Sequence, residues 1–319
     1  MTGLLPPLPR GSTVTVGSFD GVHLGHQAVL REIARRAAAA GRSSVLVTFE
    51  PHPLEIVNPQ AAPPLLTTDV ERREILAQLP IDYVLFLRFD RRLAALSPEE
   101  YVDRVLIERC QMRELVIGHD HGFGRARSGD VDTLRRLAVE RGFDVDVVDP
   151  VGVGDQHVSS SRIRRAVAGG DLAGASRMLG RPYQVSGQVG RGERRGRLLG
   201  VPTINLADVP RQKLLPPDGV YAVRVEWRHG SAEGMMNQGS KPTFDDGRRT
   251  LEAHLFDFDG DLYDEWVRIE WVERLRDVKR FASVAALQEQ VERDRIRARE
   301  ALAAARPALA GTLKPETAT

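Results

Sequence analysis

Two patterns of apolar positions divide the chain. Short runs at 13–17, 45–49, 83–87, 115–118 and 145–148 read as strands, the first with Val14 and Val16 alternating. Between them lie stretches with helical spacing, at 25–40 (ending at Gly41), 68–79, 98–109 and 131–141. Strands alternating with helices of this length predict βαβ units and a parallel sheet. Two short helices, 160–168 and 171–179, follow.

The pattern changes after Gly180. Arg181-Pro182 interrupts the chain, and β-like runs then follow one another at 183–189, 219–225, 233–237, 250–256 and 266–272. Turn signals separate them: Pro216-Pro217-Asp218-Gly219, Arg228-His229-Gly230 and Asp245-Asp246-Gly247. This predicts an antiparallel barrel or sandwich. A closing helix is expected over 283–305, with Ser283 as its cap and Leu287, Val291, Asp294 and Ala298 at helical spacing. The expected domains are therefore 1–182 and 183–306, with a disordered tail over 307–319.

Composition narrows the function classes. A chain of 319 residues suits two domains. Its 45 basic and 44 acidic residues nearly cancel, which opposes a broad nucleic-acid footprint and makes any anion site local. The single cysteine, Cys110, rules out an internal disulfide and fits a reducing compartment. The opening MTGLLPPLPRG has too short an apolar run for a signal peptide, and no stretch reaches the ~20 apolar residues of a membrane helix. The expectation is a cytoplasmic enzyme, monomeric or weakly self-associating, with neither nucleic acid nor membrane as partner.

The densest local signal is Gly17-Ser18-Phe19-Asp20-Gly21-Val22-His23-Leu24-Gly25-His26, where the first strand gives way to the first helix. Ligands of open α/β sheets bind beyond the carboxyl ends of the strands. A helix start offers N–H groups and partial positive charge to phosphate, and glycines permit close backbone approach. His23 and His26 can donate to phosphate oxygens and stabilise charge on an α-phosphate and a departing pyrophosphate. A glycine-rich turn with a helix-starting histidine would look the same. A second segment, 158–164, opens another helix with the hydroxyls of Ser159 and Ser160 and two arginines suited to phosphate, Arg162 and Arg164. Its alternative is a capped surface helix with solvated arginines. The pair within one βαβ domain is a nucleotidyltransferase layout.

The second half has its own candidate site. No Gly-Lys dipeptide occurs, which excludes a Walker A loop. Residues 187–200 instead offer Gly190, Gly192, Arg197 and Gly200 as a phosphate cradle. A solvated basic loop is the alternative; an RNA-binding segment is disfavoured because no aromatics are interleaved. In Pro202-Thr203-Ile204-Asn205, an extended segment points Thr203 and Asn205 the same way, both with oxygen ligands suited to magnesium. On the run 250–256, Leu251, Ala253 and Leu255 share one face, Glu252 and His254 the other. Facing a barrel cavity, Glu252 could take the proton of a substrate hydroxyl; an exposed glutamate on a half-buried strand is the alternative.

Longer strings carry a resemblance. The segments 17–26, Thr-Phe-Glu-Pro-His-Pro (48–53), Gly-His-Asp-His-Gly-Phe-Gly (118–124) and Arg-x-Gly-Asp (127–130) resemble bacterial bifunctional riboflavin kinase/FAD synthetase. So do Gly-Arg-x-Leu-Gly-x-Pro-Thr-x-Asn (196–205), Gly-Val-Tyr (219–221), Asn-x-Gly-x-x-Pro-Thr-Phe (237–244), Asp-Leu-Tyr (261–263) and Leu-Arg-Asp-x-Lys-Arg-Phe (275–281), all in the expected order. The resemblance implies an α/β nucleotidyltransferase domain with a Rossmann-like parallel sheet of HxGH type. An all-β, riboflavin kinase-like antiparallel barrel with a C-terminal helix would follow. It implies magnesium, ATP as co-substrate, and riboflavin, FMN and FAD as substrates and products. Gly17, Phe19, His23, Gly25 and His26 would meet ATP, with Ser159, Ser160, Arg162 and Arg164 opposite. Phe49, Pro51, His52 and Pro53 would lie by the nucleotide or flavin, and Asp120, Phe123 and Arg127 at the flavin end. Thr203 and Asn205 would hold magnesium-ATP and Glu252 would act as base, with Tyr221, Arg276 and Phe281 by the flavin. Three positions depart from the family pattern: His121 for Phe, Ile204 for Ala and Asp264 for Gly. Three other readings stay open: a kinase with a weak adenylyltransferase half, a non-catalytic flavin-binding regulator, and a transferase for another pyrophosphate-linked cofactor.

Overall fold

Runs such as Ser-Ser-Val-Leu-Val-Thr-Phe-Glu are apolar at nearly every position, which a strand tolerates only where both faces of its sheet are covered. In the computed structural model, which describes residues 5–118, 131–149, 152–153, 156–191, 201–207, 209–240 and 249–305, these runs form such a sheet. The strands are β1 (Ser12–Val16), β2 (Ser43–Glu50), β3 (Tyr83–Arg88), β4 (Met112–Gly118) and β5 (Asp144–Val148). All pair in parallel, in the order β3-β2-β1-β4-β5. The helices between them are α1 (Leu24–Ala40), α2 (Pro53–Val57), α3 (Asp69–Leu76), α4 (Arg91–Ala94), α5 (Pro98–Tyr101) and α6 (Val131–Arg141). Leu30 and Ile33 of α1 pack with Ile75 and Leu76 of α3 on Leu46 and Val116. On the other core, Val102, Val105, Leu106, Leu134 and Leu137 cover Val14, Val47 and Leu115. The order reverses between β1 and β4, so a crevice opens at the carboxyl end of β1.

Where the sequence predicts one ordinary helix over 98–109, α5 winds into a π-helix at Val102–Arg109. Cys110 N–H donates to the Val105 carbonyl at 3.2 Å, five residues back. Both windings bury Val102, Val105 and Leu106, so the apolar pattern does not separate them.

A two-residue ribbon, β6 (Gly152–Val153) and β7 (Gln156–His157), precedes α7 (Ser160–Ala168) and α8 (Leu172–Leu179). The chain divides into two compact units, Met1–Ile163 with Met178–Gly180 and Arg164–Arg177 with Arg181–Thr319. In the second unit, β8 (Gln184–Gly190), β9 (Ile204–Leu206), β10 (Gly219–Trp227), β11 (Gly230–Ser240), β12 (Arg249–Leu255) and β13 (Trp266–Arg276) close a barrel. Its order is β10-β11-β12-β9-β8-β13. Tyr221, Val223, Met236, Ala253 and Trp271 fill the interior, each at most 1% exposed. Asp264 stands at φ 64, a left-handed position that explains the family's glycine and that aspartate tolerates. The predicted turn at 245–247 and tail at 307–319 lie outside the described residues.

The last helix, α9 (Val284–Ala304), is capped by Ser283, whose Oγ accepts the Ala286 N–H at 3.2 Å. It lays Ala298, Ala301 and Leu302 on the outer barrel face against Val220, Ala222, Met235 and Phe256. A buried polar network fixes its start. Arg276 Nε donates to both carboxylate oxygens of Asp294 at 3.0 and 2.9 Å. Gln290 donates to Asp294 at 2.8 Å and accepts from Lys279 at 2.7 Å. Breaking one partner of a buried pair leaves an uncompensated charge. Asp294→Ala should therefore cost about 3–5 kcal/mol in the second unit, read by urea denaturation.

Candidate active sites

In the first unit, the segment after β1 is built by its own side chains. Asp20, 2% exposed, accepts the Leu66 and Thr67 N–H groups at 3.0 and 2.9 Å and the Thr67 hydroxyl at 3.1 Å. Gly21 holds φ 81, and a Cβ there would lie 2.8 Å from Leu66. His23 is the N-cap of α1, its Nδ1 accepting the His26 N–H at 3.3 Å. The two imidazoles stack with centroids 3.6 Å apart, and Phe19 lies 4.6 Å from His26. A Cβ on Gly25 would sit 3.2 Å from the His23 ring. The two histidines thus form one aromatic pair at a helix start, beside the switch point of the sheet.

The second predicted segment meets the first. Ser160 Oγ donates to the Asp20 carbonyl at 3.0 Å, and Ser159 Oγ accepts the Arg162 N–H at 3.4 Å. Arg162 donates to the His157 carbonyl. Arg162 and Arg164 flank buried Ile163, about 200° apart around the helix, so they do not share a face. Arg164 falls just inside the part of α7 that goes with the second unit.

Around the end of β2, Phe49 is 9% exposed and packs edge-on against Phe89 at 5.3 Å. His52 is the N-cap of α2, with Glu55 completing a capping box and Pro53 in its first turn. Pro51 follows a cis peptide bond. These residues are engaged in shaping the loop. Asp120, His121, Phe123 and Arg127 lie outside the described residues.

Sequence reasoning missed Arg72 and Asp69. Arg72 is buried beneath both loops, and its place in the stripe with Ile75 and Leu76 was the available signal. Burial and a hydrogen bond with Glu50 push the Asp69 carboxyl up to about 6.

In the barrel, register brings the second candidate set together. Gly190, Asn205, Glu252, Asn237 and Val220 stand in one cross-strand row over five strands. Directly paired residues have side chains on one face, so Asn205, Glu252 and Asn237 are neighbours. That face is not the barrel cavity, which corrects the expectation for Glu252. The interior of so small a barrel is filled by side chains, and the apolar face of β12 (Leu251, Ala253, Leu255) takes that place. Glu252 and His254 look outward, on the side that carries α9. Thr203 lines a cavity of about 300 Å³ with Pro202, Ile204, Phe258, Asp261 and Tyr263. Arg191 lies 6.0 Å from the Tyr263 ring centroid. Gly192, Arg197 and Gly200 lie outside the described residues.

His254 lies with Nδ1 2.8 Å from the Pro202 carbonyl, next to Thr203. Burial lowers its pKa from the ordinary 6.5, outweighing the hydrogen bond that raises it. As pH falls below 6.5 the unfolded chain protonates this ring before the folded one does. The second unit should therefore lose stability on acidification below that value. His254→Gln should weaken that dependence in melting curves taken between pH 7 and pH 5.

The flavin assignments on this side split. Tyr221 is fully buried within the barrel with its hydroxyl on the Pro217 carbonyl, and this packing presents no surface to a ligand. Arg276 is held by Asp294 and lies 5.7 Å from the Phe281 ring centroid.

Comparison with known proteins agrees with both halves. A family model described as FAD synthetase matches residues 5–162, and one described as riboflavin kinase matches residues 179–302. A bifunctional riboflavin kinase/FMN adenylyltransferase of Pseudomonas fluorescens is 40% identical over 301 residues, 94% of this chain and 96% of that protein. The Escherichia coli K12 protein of the same description is 37% identical over 304 residues, covering 94% and 95%. A solved structure described as a macrolide-efflux protein from Streptococcus pneumoniae aligns with TM-score 0.81 at 30% identity, over 93% of this chain and 95% of that one. Among the described residues, no helix is long and apolar enough to cross a membrane. With a parallel-sheet unit matching one model and a closed barrel matching the other, the chain belongs to the bifunctional riboflavin kinase/FMN adenylyltransferase family.

Proposed function

We propose that the chain phosphorylates riboflavin to FMN with ATP in its second unit and transfers AMP from a second ATP to FMN in its first, releasing pyrophosphate. The observation that carries this reading is the presence, on one chain, of both a stacked histidine pair at a helix start and a cross-strand pair of Glu252 and Asn205, the latter two residues along from Thr203, which lines a cavity. We take the working boundary between the halves to fall after Pro182.

In the kinase half, Glu252 takes the proton of the riboflavin 5′-hydroxyl as its oxygen bonds to the γ-phosphorus and the bond to ADP breaks. Thr203 and Asn205 suit magnesium, which prefers hard oxygens and leaves room for phosphate oxygens. Bound there, the ion would offset negative charge on the transferring phosphate. Gly190, with Gly192, Arg197 and Gly200, cradles the nucleotide, and Arg276 and Phe281 border the flavin.

In the adenylyltransferase half, the FMN phosphate attacks the α-phosphorus of ATP directly. His23 and His26, with Gly17, Phe19 and Gly25, hold the phosphates, and Ser159, Ser160 and Arg162 stabilise departing pyrophosphate. Phe49, Pro51, His52, Asp120, Phe123 and Arg127 form the flavin side. We take the enzyme to act as a monomer or weak homo-oligomer. A lone, buried cysteine supports a cytoplasmic enzyme.

Incubating the purified protein with riboflavin and magnesium-ATP, then resolving the flavins, tests the proposal. FMN should form first and FAD after it. FMN without FAD would leave only the kinase; flavin binding without turnover would leave a non-catalytic binder.

A further inference from the structure

One side chain joins the two loops that border the first site. Arg72 extends from α3 on the same face as Ile75 and Leu76 and is 4% exposed. Its Nη1 donates to the Ser18 carbonyl at 2.8 Å, and its Nη2 to the Phe49 carbonyl at 2.8 Å. The same Nη2 meets Asp69 Oδ1 at 2.9 Å. Ser18 belongs to the loop that ends in His23 and His26, and Phe49 to the end of β2, which continues into Pro51, His52 and Pro53. Thr48 Oγ1 donates to the same Ser18 carbonyl at 3.1 Å.

A leucine at this position would satisfy the packing of α3. Burying a guanidinium instead is costly unless its donors are well placed. Here two arms of one planar group meet backbone carbonyls on two strand ends, so the group fixes the spacing between them. The connection continues to the reacting groups. Phe19, next to Ser18, holds φ 49 and packs on His26, which stacks on His23. A shift of Ser18 therefore moves the histidine pair, and a shift of Phe49 moves the loop assigned to flavin.

We propose that Arg72 is a positioning residue for adenylyl transfer, setting the separation of the phosphate loop from the loop after β2. Buried as it is, it acts through the backbone it holds. Its role follows from the steep dependence of in-line attack on distance, where about 1 Å of misplacement costs on the order of 10²-fold. The inference rests on the adenylyltransferase reading of the first unit.

Arg72→Lys keeps the charge and can hold one carbonyl, but a point donor does not span both. Arg72→Met holds neither. Arg135→Met is the control, because Arg135 is an exposed arginine whose ion pair, with Asp132, lies within α6. Single-turnover conversion of FMN to FAD by the full chain separates two effects. A purely structural role would lower the amplitude, the fraction of competent enzyme. A positioning role lowers the rate constant. The expected result for Arg72→Lys is a rate constant at least about 10-fold lower with amplitude retained. Riboflavin phosphorylation should be unchanged, and Arg135→Met should match the parent. An unaltered rate constant in Arg72→Lys, or loss of amplitude alone in both Arg72 variants, overturns the proposal. A parent protein that makes no FAD from FMN instead overturns the adenylyltransferase reading itself.

Discussion

Glu252→Gln is expected to stop FMN formation, lowering kcat for riboflavin phosphorylation by about 10²–10⁴-fold, the usual range for loss of a positioned base. Glutamine has nearly the same shape and keeps a polar side chain beside Asn205 and Asn237, its neighbours in the cross-strand row. KM for riboflavin and ATP should therefore change little. FMN supplied to the same variant should still become FAD, because the histidine pair lies in the other unit. The flavins can be resolved chromatographically in both assays. Wild-type FMN production by a folded Glu252→Gln protein would remove Glu252 from the reaction. Loss of both activities would contradict two separate sites.

A change at His23 should have a comparable effect on the other reaction. The imidazole caps α1 and stacks on His26, so His23→Ala loses two things at once. The lost cap costs about 0.5–2 kcal/mol of stability. The lost donor to developing phosphate charge costs about 10²–10³-fold in rate. His23→Asn separates them. Asparagine is a strong N-cap residue, so it should restore the melting temperature without restoring FAD formation. Recovery of activity along with stability would mean that His23 serves only the helix. Kinase turnover in the same sample should stay at the parent level.

The alternation of strands and helices up to Gly180, and the consecutive strands after it, were legible because apolar spacing reports local geometry. So were the helix starts near Gly25 and at Ser160 and Ser283, although the cap on the first, His23, came only with the structure. Strand order and register were not, because they depend on pairings between distant segments. Glu252 shows the consequence. Its periodicity sorted the neighbouring residues into two faces, but only register with β9 and β11 reveals which face turns outward. β9 was hidden for a different reason: three residues after Pro202 are too short to give a pattern. Arg72 escaped notice because a charged residue in an apolar stripe looks like a surface position until its carbonyl partners are known. Tyr221 sits in a string that matches the family, yet the barrel uses its ring for packing.

The two sheets differ in what they leave unpaired. Every strand of the barrel has a neighbour on each side, since β13 returns to β10. Among the described residues the ladder is thin only at β9, which pairs with β12 at Glu252 and Ala253 and with β8 at Val189 and Gly190, so the closed barrel leaves less of an open row of N–H and C=O groups to another copy of itself. The parallel sheet ends on β3 and β5 and does have such rows. Its borders carry charge: Arg88 at the end of β3, and Asp144 and Asp146 along β5. Charged side chains on border strands oppose strand-to-strand association between molecules. Replacing Asp144 and Asp146 with valine would leave β5 apolar throughout, and aggregation in concentrated solution would then begin in the first unit rather than in the barrel.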